Sequence, residues 1–217
     1  MEPVTLTTER LVLRPFEPSD VPAVYAACQD PEIPRWTTVP SPYTREHAAD
    51  FVTRISPEGW RDDTSYNLAA VTKDTGTLVS AIGLVRLALG SPDRQAELGY
   101  WTAPEQRGRG YTAEAARALV EWAFTELAVE RMEWYAETGN TGSRAVALKI
   151  GFRMEGIMRA RLVHQGTRRD AWAGALLPSD LGLPSATPYL PYPGRSGADD
   201  APGGAPAPST AGGSPEG

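Results

Sequence analysis

Cysteine and histidine are nearly missing from this chain: Cys28 stands alone, and His47 and His164 lie far from it and from each other. One thiol writes no disulfide framework, and three such dispersed residues make no metal site. Long apolar runs are missing too, so no membrane span or membrane partner is expected. The opening MEPVTLTTER has neither the basic start nor the apolar core of a secretory leader, and the lone Cys28 makes a cytoplasmic location the default expectation. Neither sign of charge dominates: 21 Lys and Arg against 27 Asp and Glu give a net −6. That balance argues against general nucleic-acid binding and suits a cationic acceptor such as an amine only loosely. No GxxxxGK[ST] occurs, which excludes a P-loop, and there is no internal repeat.

What is present is the composition of a globular domain, 41% hydrophobic and 22% charged over 217 residues. Leu6 to Phe16 reads as a first strand, and Asp20 opens a short helix that stops at Asp30-Pro31. The proline-rich stretch from Glu32 to Pro42 reads as a loop, and Thr44 caps a helix running to about Ile55. Two strands, Tyr66 to Thr72 and Thr77 to Leu89, flank the turn Lys73-Asp74-Thr75-Gly76. Ala96 to Thr102 is a further strand. Thr112 to Leu127 carries Ala116, Val120, Ala123, Phe124 and Leu127 as one apolar stripe of a helix. Arg131 to Thr138 follows as a parallel strand, and Asn140 to Ile150 as a helix closed by Gly151. Phe152 to Val163 and Thr167 to Leu176 pair across Gln165-Gly166. From Pro178 onward nine of the 20 prolines and eight of the 21 glycines crowd into a tail with few large apolar residues. Such a segment buries too little surface to offset its ordering entropy, so the folded domain is expected over 1–177 and disorder over 178–217. Tyr189 and Tyr192, within PYLPYP, suit packing back on the domain or binding a partner equally well.

Between the strand ending at Thr102 and the helix starting at Thr112 lies APEQRGRGY. Gly108 and Gly110 allow unusual backbone angles and close approach of a ligand. The helix that follows turns its unpaired N–H groups and positive dipole end toward the turn, and Arg107 and Arg109 add charge. Together these make a site for a phosphate or diphosphate. Gly108-x-Gly110-x-x-Ala113 also fits a dinucleotide fingerprint, with Glu130 at the distance of a ribose contact. Against that reading, Pro104 to Arg107 separates the strand from the first glycine, and the flanking strands read as hairpins rather than repeated βαβ units.

Four stretches in order, TTERLVLRPFEPSD, AELGYWTAPEQRGRGYTAEA, NTGSRAVALKIGFRMEG and RARLVHQGTRRDAWAGALL, resemble the GNAT-type N-acetyltransferases. Within that superfamily the chain is similar to the ribosomal-protein N-acetyltransferases from Leu6 to Leu181. The resemblance implies an α+β fold, a mixed and mostly antiparallel sheet flanked by helices, with acetyl-CoA as co-substrate. It implies that Arg107, Gly108, Arg109, Gly110, Tyr111 and Thr112 cradle the CoA diphosphate, although Glu105 departs from the Gln or Arg of many relatives. The backbone of Tyr100, Trp101 and Thr102 would hold the pantetheine arm. Glu97 would take the proton of the attacking amine, with Glu137 as a rival and an exposed strand carboxylate as the plain alternative. The tyrosine that many relatives carry in the helix after the second parallel strand is missing from Val146-Ala147-Leu148-Lys149. Ser143 would then donate to the leaving sulfur and Asn140 would bind cofactor, unless both serve the helix cap. Lys149 would reach a CoA phosphate, and Trp36 and His47 would face the acceptor. His164 reads as an exposed residue near the hairpin turn. The acceptor is a protein N-terminus or a small-molecule amine, and an edge strand would allow a homodimer. The alternative function is a non-catalytic acyl-CoA sensor on the same fold.

Overall fold

The computed structural model describes residues 1–191. Eight strands form one sheet in the order β1-β2-β3-β4-β5-β6-β8-β7. They are β1 Leu6–Thr7, β2 Leu11–Arg14, β3 Ser65–Thr72, β4 Leu78–Val85, β5 Gln95–Thr102, β6 Arg131–Glu137, β7 Arg153–His164 and β8 Thr167–Leu176. Every neighbouring pair is antiparallel except β5 with β6. The mixed, mostly antiparallel sheet expected from the sequence is therefore present. No helix among the described residues is long and apolar enough to cross a membrane.

Strand alternation splits the core in two. On one face Leu68, Leu84, Leu98, Met132 and Trp134 pack under α5 (Tyr111–Thr125) and α6 (Thr141–Ile150). On the other face Phe16, Ala69, Val71 and Ala81 pack with α1 (Val21–Ala27), α2 (Glu32–Trp36) and α3 (Arg45–Asp50). Helix α5 buries Ala116, Val120, Ala123 and Phe124 of the stripe read from the sequence, Leu127 just beyond it is buried too, and Ala115 and Leu119 join them.

Four expectations change. The first strand is two short ones, with Leu6 opposite Leu13 and Thr7 opposite Val12. Their turn is held by Glu114 on α5, which accepts from Thr8 Oγ1 at 2.6 Å, Arg10 N at 2.9 Å and Arg10 Nε at 2.6 Å. That long-range carboxylate is invisible to local pattern reading. Residues Glu32–Trp36 form a helical turn instead of a loop. Asp30 Oδ1 accepts from Glu32 N at 2.7 Å, and Pro34 sits in the first turn, where its missing N–H costs nothing. The helix from Thr44 continues past Ile55 to Arg61 through a wide π-turn at Phe51–Ile55 and α4 (Ser56–Arg61). Pro57 has no N–H to close a regular turn there, and Ser56 N reaches Phe51 O, five residues back.

The tail is the fourth change, because it does not leave the domain at Pro178. Residues Pro178–Leu181 form a 3-10 turn, Arg153 meets Asp180 at 2.9 Å, and Glu130 accepts from Ala186 N at 2.9 Å and from the Ser185 hydroxyl. Tyr189 and Leu190 are 56% and 91% exposed, so Tyr189 does not pack back. The remainder of the expected tail, Tyr192 included, lies outside the described residues.

Gly59 on α4 gives a stability test. A Cβ there would lie 2.7 Å from the Ser65 carbonyl oxygen and 2.3 Å from Ser65 Oγ. Alanine gains about 1 kcal/mol of helix propensity over glycine. Overpacking against backbone costs about 1–3 kcal/mol. Gly59→Ala should lower the urea midpoint; a raised midpoint would mean that β3 yields freely.

Candidate active site

β5 and β6 pair over only three positions, Gln95 with Arg131, Ala96 with Met132 and Glu97 with Glu133. Beyond Glu97, β5 stays paired to β4 as far as Thr102, while β6 continues to Glu137 paired to β8. The strands therefore part, and a cleft of ≈ 610 Å³ opens between them. Its lining includes Tyr100, Trp101 and Thr102 from β5, Gly108 to Ala113 apart from Arg109, Asn140 to Ser143 and Lys149 from the α6 region, and Trp36 from α2.

The glycine turn forms one end. Gly108 and Gly110 have φ of +76° and +79°, the left-handed region that favours glycine. Gly110 is the N-cap of α5 and no side chain caps that helix, so the first-turn N–H groups remain for a ligand. A Cβ on Gly110 would stand 3.2 Å from Lys149 Nζ, which brings a lysine from α6 to the turn. Arg10, which sequence reading did not single out, lies there as well: its Nη1 donates to Arg109 O at 3.2 Å and its guanidinium covers the Tyr111 ring at 4.4 Å. Of the two arginines of the motif, Arg107 borders the cleft and Arg109 is not on its lining. Arg107 pairs with Asp30 at 2.8 Å, and Arg109 is exposed. The Thr112 hydroxyl is buried against Thr102 Oγ1 at 2.7 Å, tying α5 to β5 and leaving only its main chain for a ligand.

In the middle of the cleft is a closed hydrogen-bond network. Trp134 Nε1 donates to Ser143 Oγ at 3.1 Å, Ser143 Oγ donates to Tyr100 Oη at 3.1 Å, and Tyr100 Oη donates to Ser143 O at 2.9 Å. Burial pushes the Tyr100 phenol up to about 12, against the opposing effect of its Ser143 and Trp134 partners. Asn140 is the N-cap of α6 and accepts from Ser143 N at 3.1 Å, so it has the capping role as well as a place on the lining.

Glu97 does not line this cleft. It sits on the last paired position of β5 and faces away from Leu98 and Tyr100, toward Arg86, Arg161 and Glu133. Arg86 Nε approaches Glu97 Oε2 to 3.2 Å, yet the angles make no hydrogen bond, so this buried oxygen has no donor. Burial pushes the Glu97 carboxyl up from the ordinary glutamate value, against the pull of Arg86 and Arg161.

Glu137 and both histidines are placed by contacts that local pattern does not reveal. Glu137, the rival base, is held by Arg35 at 3.0 Å and His164 at 3.4 Å. His164 is only 13% exposed, not a surface residue. His47 is not at the cleft: its Nδ1 accepts from Thr44 N at 3.2 Å while its own N–H donates to Thr44 Oγ1, a reciprocal cap of α3. Trp36 does reach the cleft, with its ring edge 3.6 Å from where a Gly139 Cβ would stand.

With this geometry in view, comparison with known proteins identifies the family. The acetyltransferase (GNAT) domain matches residues 10–153. The chain belongs to the GNAT acetyltransferase family. It is 28% identical over 165 residues to the uncharacterized N-acetyltransferase YoaA of Bacillus subtilis, covering 76% of this chain and 92% of that one. Among solved structures, a GNAT-family acetyltransferase from Bacillus anthracis superposes with a TM-score of 0.71 at 25% identity, covering 81% of this chain and 99% of that one. RimJ of Mycobacterium smegmatis, solved in complex with CoA-disulfide, shares the fold with a TM-score of 0.72 at 23% identity, over 83% of this chain and 92% of that one.

Ser143→Ala would leave the buried Trp134 N–H without an acceptor. An orphaned buried donor costs about 1–3 kcal/mol, a loss that urea denaturation resolves. An unchanged midpoint would show that the network contributes nothing to holding the cleft wall.

Proposed function

We propose that this GNAT protein transfers the acetyl group of acetyl-CoA directly to a primary amine while both substrates are bound. One observation carries the reading: a turn with two left-handed glycines opens a helix N-terminus onto the edge of a strand that has lost its neighbour. An anion site beside a free strand edge suits a ligand that is diphosphate at one end and an extended amide chain at the other. Coenzyme A has that form. The amides from Arg107 to Thr112 would hold its diphosphate, with Lys149 near Gly110 and Arg10 alongside as cations. Backbone groups of Tyr100, Trp101 and Thr102 would hold the arm. Arg107 itself braces the turn through Asp30.

Acetyl-CoA would supply the acyl group as a thioester, and the chain must then manage two protons. An ammonium has no lone pair, so the acceptor must lose a proton before attack. Glu97 takes it through water, because its side chain stands on the opposite sheet face from Tyr100. Its raised affinity for protons makes it a stronger base than an ordinary carboxylate. The Ser143 hydroxyl turns its proton from Tyr100 Oη to the leaving sulfur, while Trp134 Nε1 continues to donate to Ser143 Oγ and holds it in place. Trp36 borders the acceptor end. The acceptor is a protein N-terminal amine or a small-molecule amine in the cytoplasm, and a homodimer through the exposed edge strand is compatible with either.

A second reading, a non-catalytic acyl-CoA sensor, is favoured by one observation: the Ser143 hydroxyl is already engaged on both sides. A screen of peptides and small amines read out by free-thiol release tests the enzyme directly; coenzyme A binding with no thiol release from any acceptor would favour the sensor.

Glu97→Gln separates the two further. Turnover should fall about a hundredfold or more with coenzyme A affinity unchanged, whereas a sensor would be indifferent. Because the base works only when deprotonated, and burial raises its carboxyl, the acid limb of kcat/KM should lie above the ordinary glutamate range and vanish in the variant.

Gly110→Ala forces a side chain to φ +79° against Lys149, and coenzyme A affinity by calorimetry should fall about tenfold. Gly76→Ala, with φ +67° in the remote β3–β4 turn, carries similar strain and should leave that affinity unchanged. Equal losses in both would assign the effect to general instability.

A further inference from the structure

Arg86 reaches Glu97 only because the chain leaves regular strand geometry to bring it there. β4 ends at Val85, which pairs directly with Glu97, so those two side chains share one sheet face. A strand that simply continued would send the next side chain to the opposite face, beside Leu84. Arg86 instead has φ of +50°, in the left-handed region that a non-glycine residue adopts at a cost. Its Nε then lies 3.2 Å from Glu97 Oε2. A backbone outlier that delivers a charge to the candidate base points to a use for that charge.

The contact is an ion pair without a hydrogen bond, and Oε2 is buried with no donor. Arg86 is 57% exposed and keeps much of its own hydration, whereas the Glu97 side chain is 15% exposed, shielded but not sealed. A cation so placed stabilises the carboxylate without occupying its lone pairs. The other charged groups facing Glu97 are committed to neighbours. On β7 the Arg161 guanidinium covers the Tyr135 ring at 4.6 Å. On β6 Glu133 accepts from Arg131 Nε at 3.2 Å and from Tyr135 Oη at 3.0 Å, and its like charge opposes the ionisation of Glu97. Burial is the largest influence raising the Glu97 carboxyl, and Arg86 is the largest pulling it back, ahead of Arg161.

We propose that Arg86 is a positioning residue that acts through Glu97: it lends the carboxylate a counter-charge without a hydrogen bond, so the group stays ionised in a shielded place with its lone pairs free for a proton. A bonded arginine would hold the charge more tightly but would compete with the acceptor for the same oxygens. The left-handed backbone at Arg86 is what presents the charge at that angle. Use of Glu97 as a base rests on the transfer reading above; the pairing of Arg86 with its charge does not.

Carbon-13 NMR of the Glu97 carboxyl, assigned by loss of its signal in Glu97→Gln, follows the titration with neither acetyl-CoA nor an acceptor present. Arg86→Gln should raise the proton affinity of Glu97 about fivefold, the upper range for a partly exposed ion pair. Arg86→Lys keeps the charge and should titrate with the parent. Arg86→Gly removes the charge but suits the left-handed angle. It should match Arg86→Gln in titration with an equal or higher urea midpoint, and it serves if Arg86→Gln folds poorly. Because a base works only when deprotonated, the acid limb of kcat/KM should move to higher pH in both uncharged variants. A titration unmoved in those variants, or moved equally in Arg86→Lys, overturns the proposal. Absence of thiol release in the acceptor screen would sink the transfer reading and leave the NMR result intact, so the two can fail separately.

Discussion

The site depends on a parallel strand pair that stops early. β5 and β6 are registered at three positions and then separate, each still paired on its outer side. A strand edge inside a sheet is costly to leave without partners, because main-chain donors and acceptors need them. Here the edge opens into a cleft large enough for an extended ligand, and that cleft is bounded by the N-terminus of α5 at one end and of α6 at its side. The left-handed glycines, the Thr102–Thr112 contact and the Trp134–Ser143–Tyr100 network all serve to keep that opening in shape.

Charge is distributed on the same plan. At the glycine turn Arg10 and Lys149 arrive from β2's hairpin and from α6, far apart in the chain, while Arg107 of the motif is spent on Asp30. On the opposite sheet face Glu97, Glu133 and Glu137 share their surroundings with Arg86, Arg131, Arg161 and Arg35. Glu97 differs from the other two in having a buried oxygen that none of these arginines satisfies. Burial without a donor makes the Glu97 carboxylate hold a proton more readily than an ordinary glutamate.

Much of the architecture was legible locally. The strand runs of β3 to β6, the stripe on α5, the Gln165-Gly166 turn and the Gly151 cap all follow from apolar patterning and turn chemistry confined to a few residues. The misreadings share a cause. The β1–β2 turn depends on Glu114, the extended helix through Arg61 on a π-turn around Pro57, and the tail's attachment on Glu130 and Arg153. His47 and His164 show the same thing for the site. The first caps its own helix, and the second bridges two elements more than twenty residues from it along the chain.

The sequence by itself determined the turn: glycines that tolerate left-handed angles lie next to a helix start, and backbone angles and the helix dipole are local properties. It also determined the family, through four motifs in order. Only the tertiary structure decided which charges gather at the glycine turn, which hydroxyls are already engaged and which carboxylate lacks a donor. Those are outcomes of side-chain proximity and burial, and both are set by how distant strands and helices pack, not by the residues on either side.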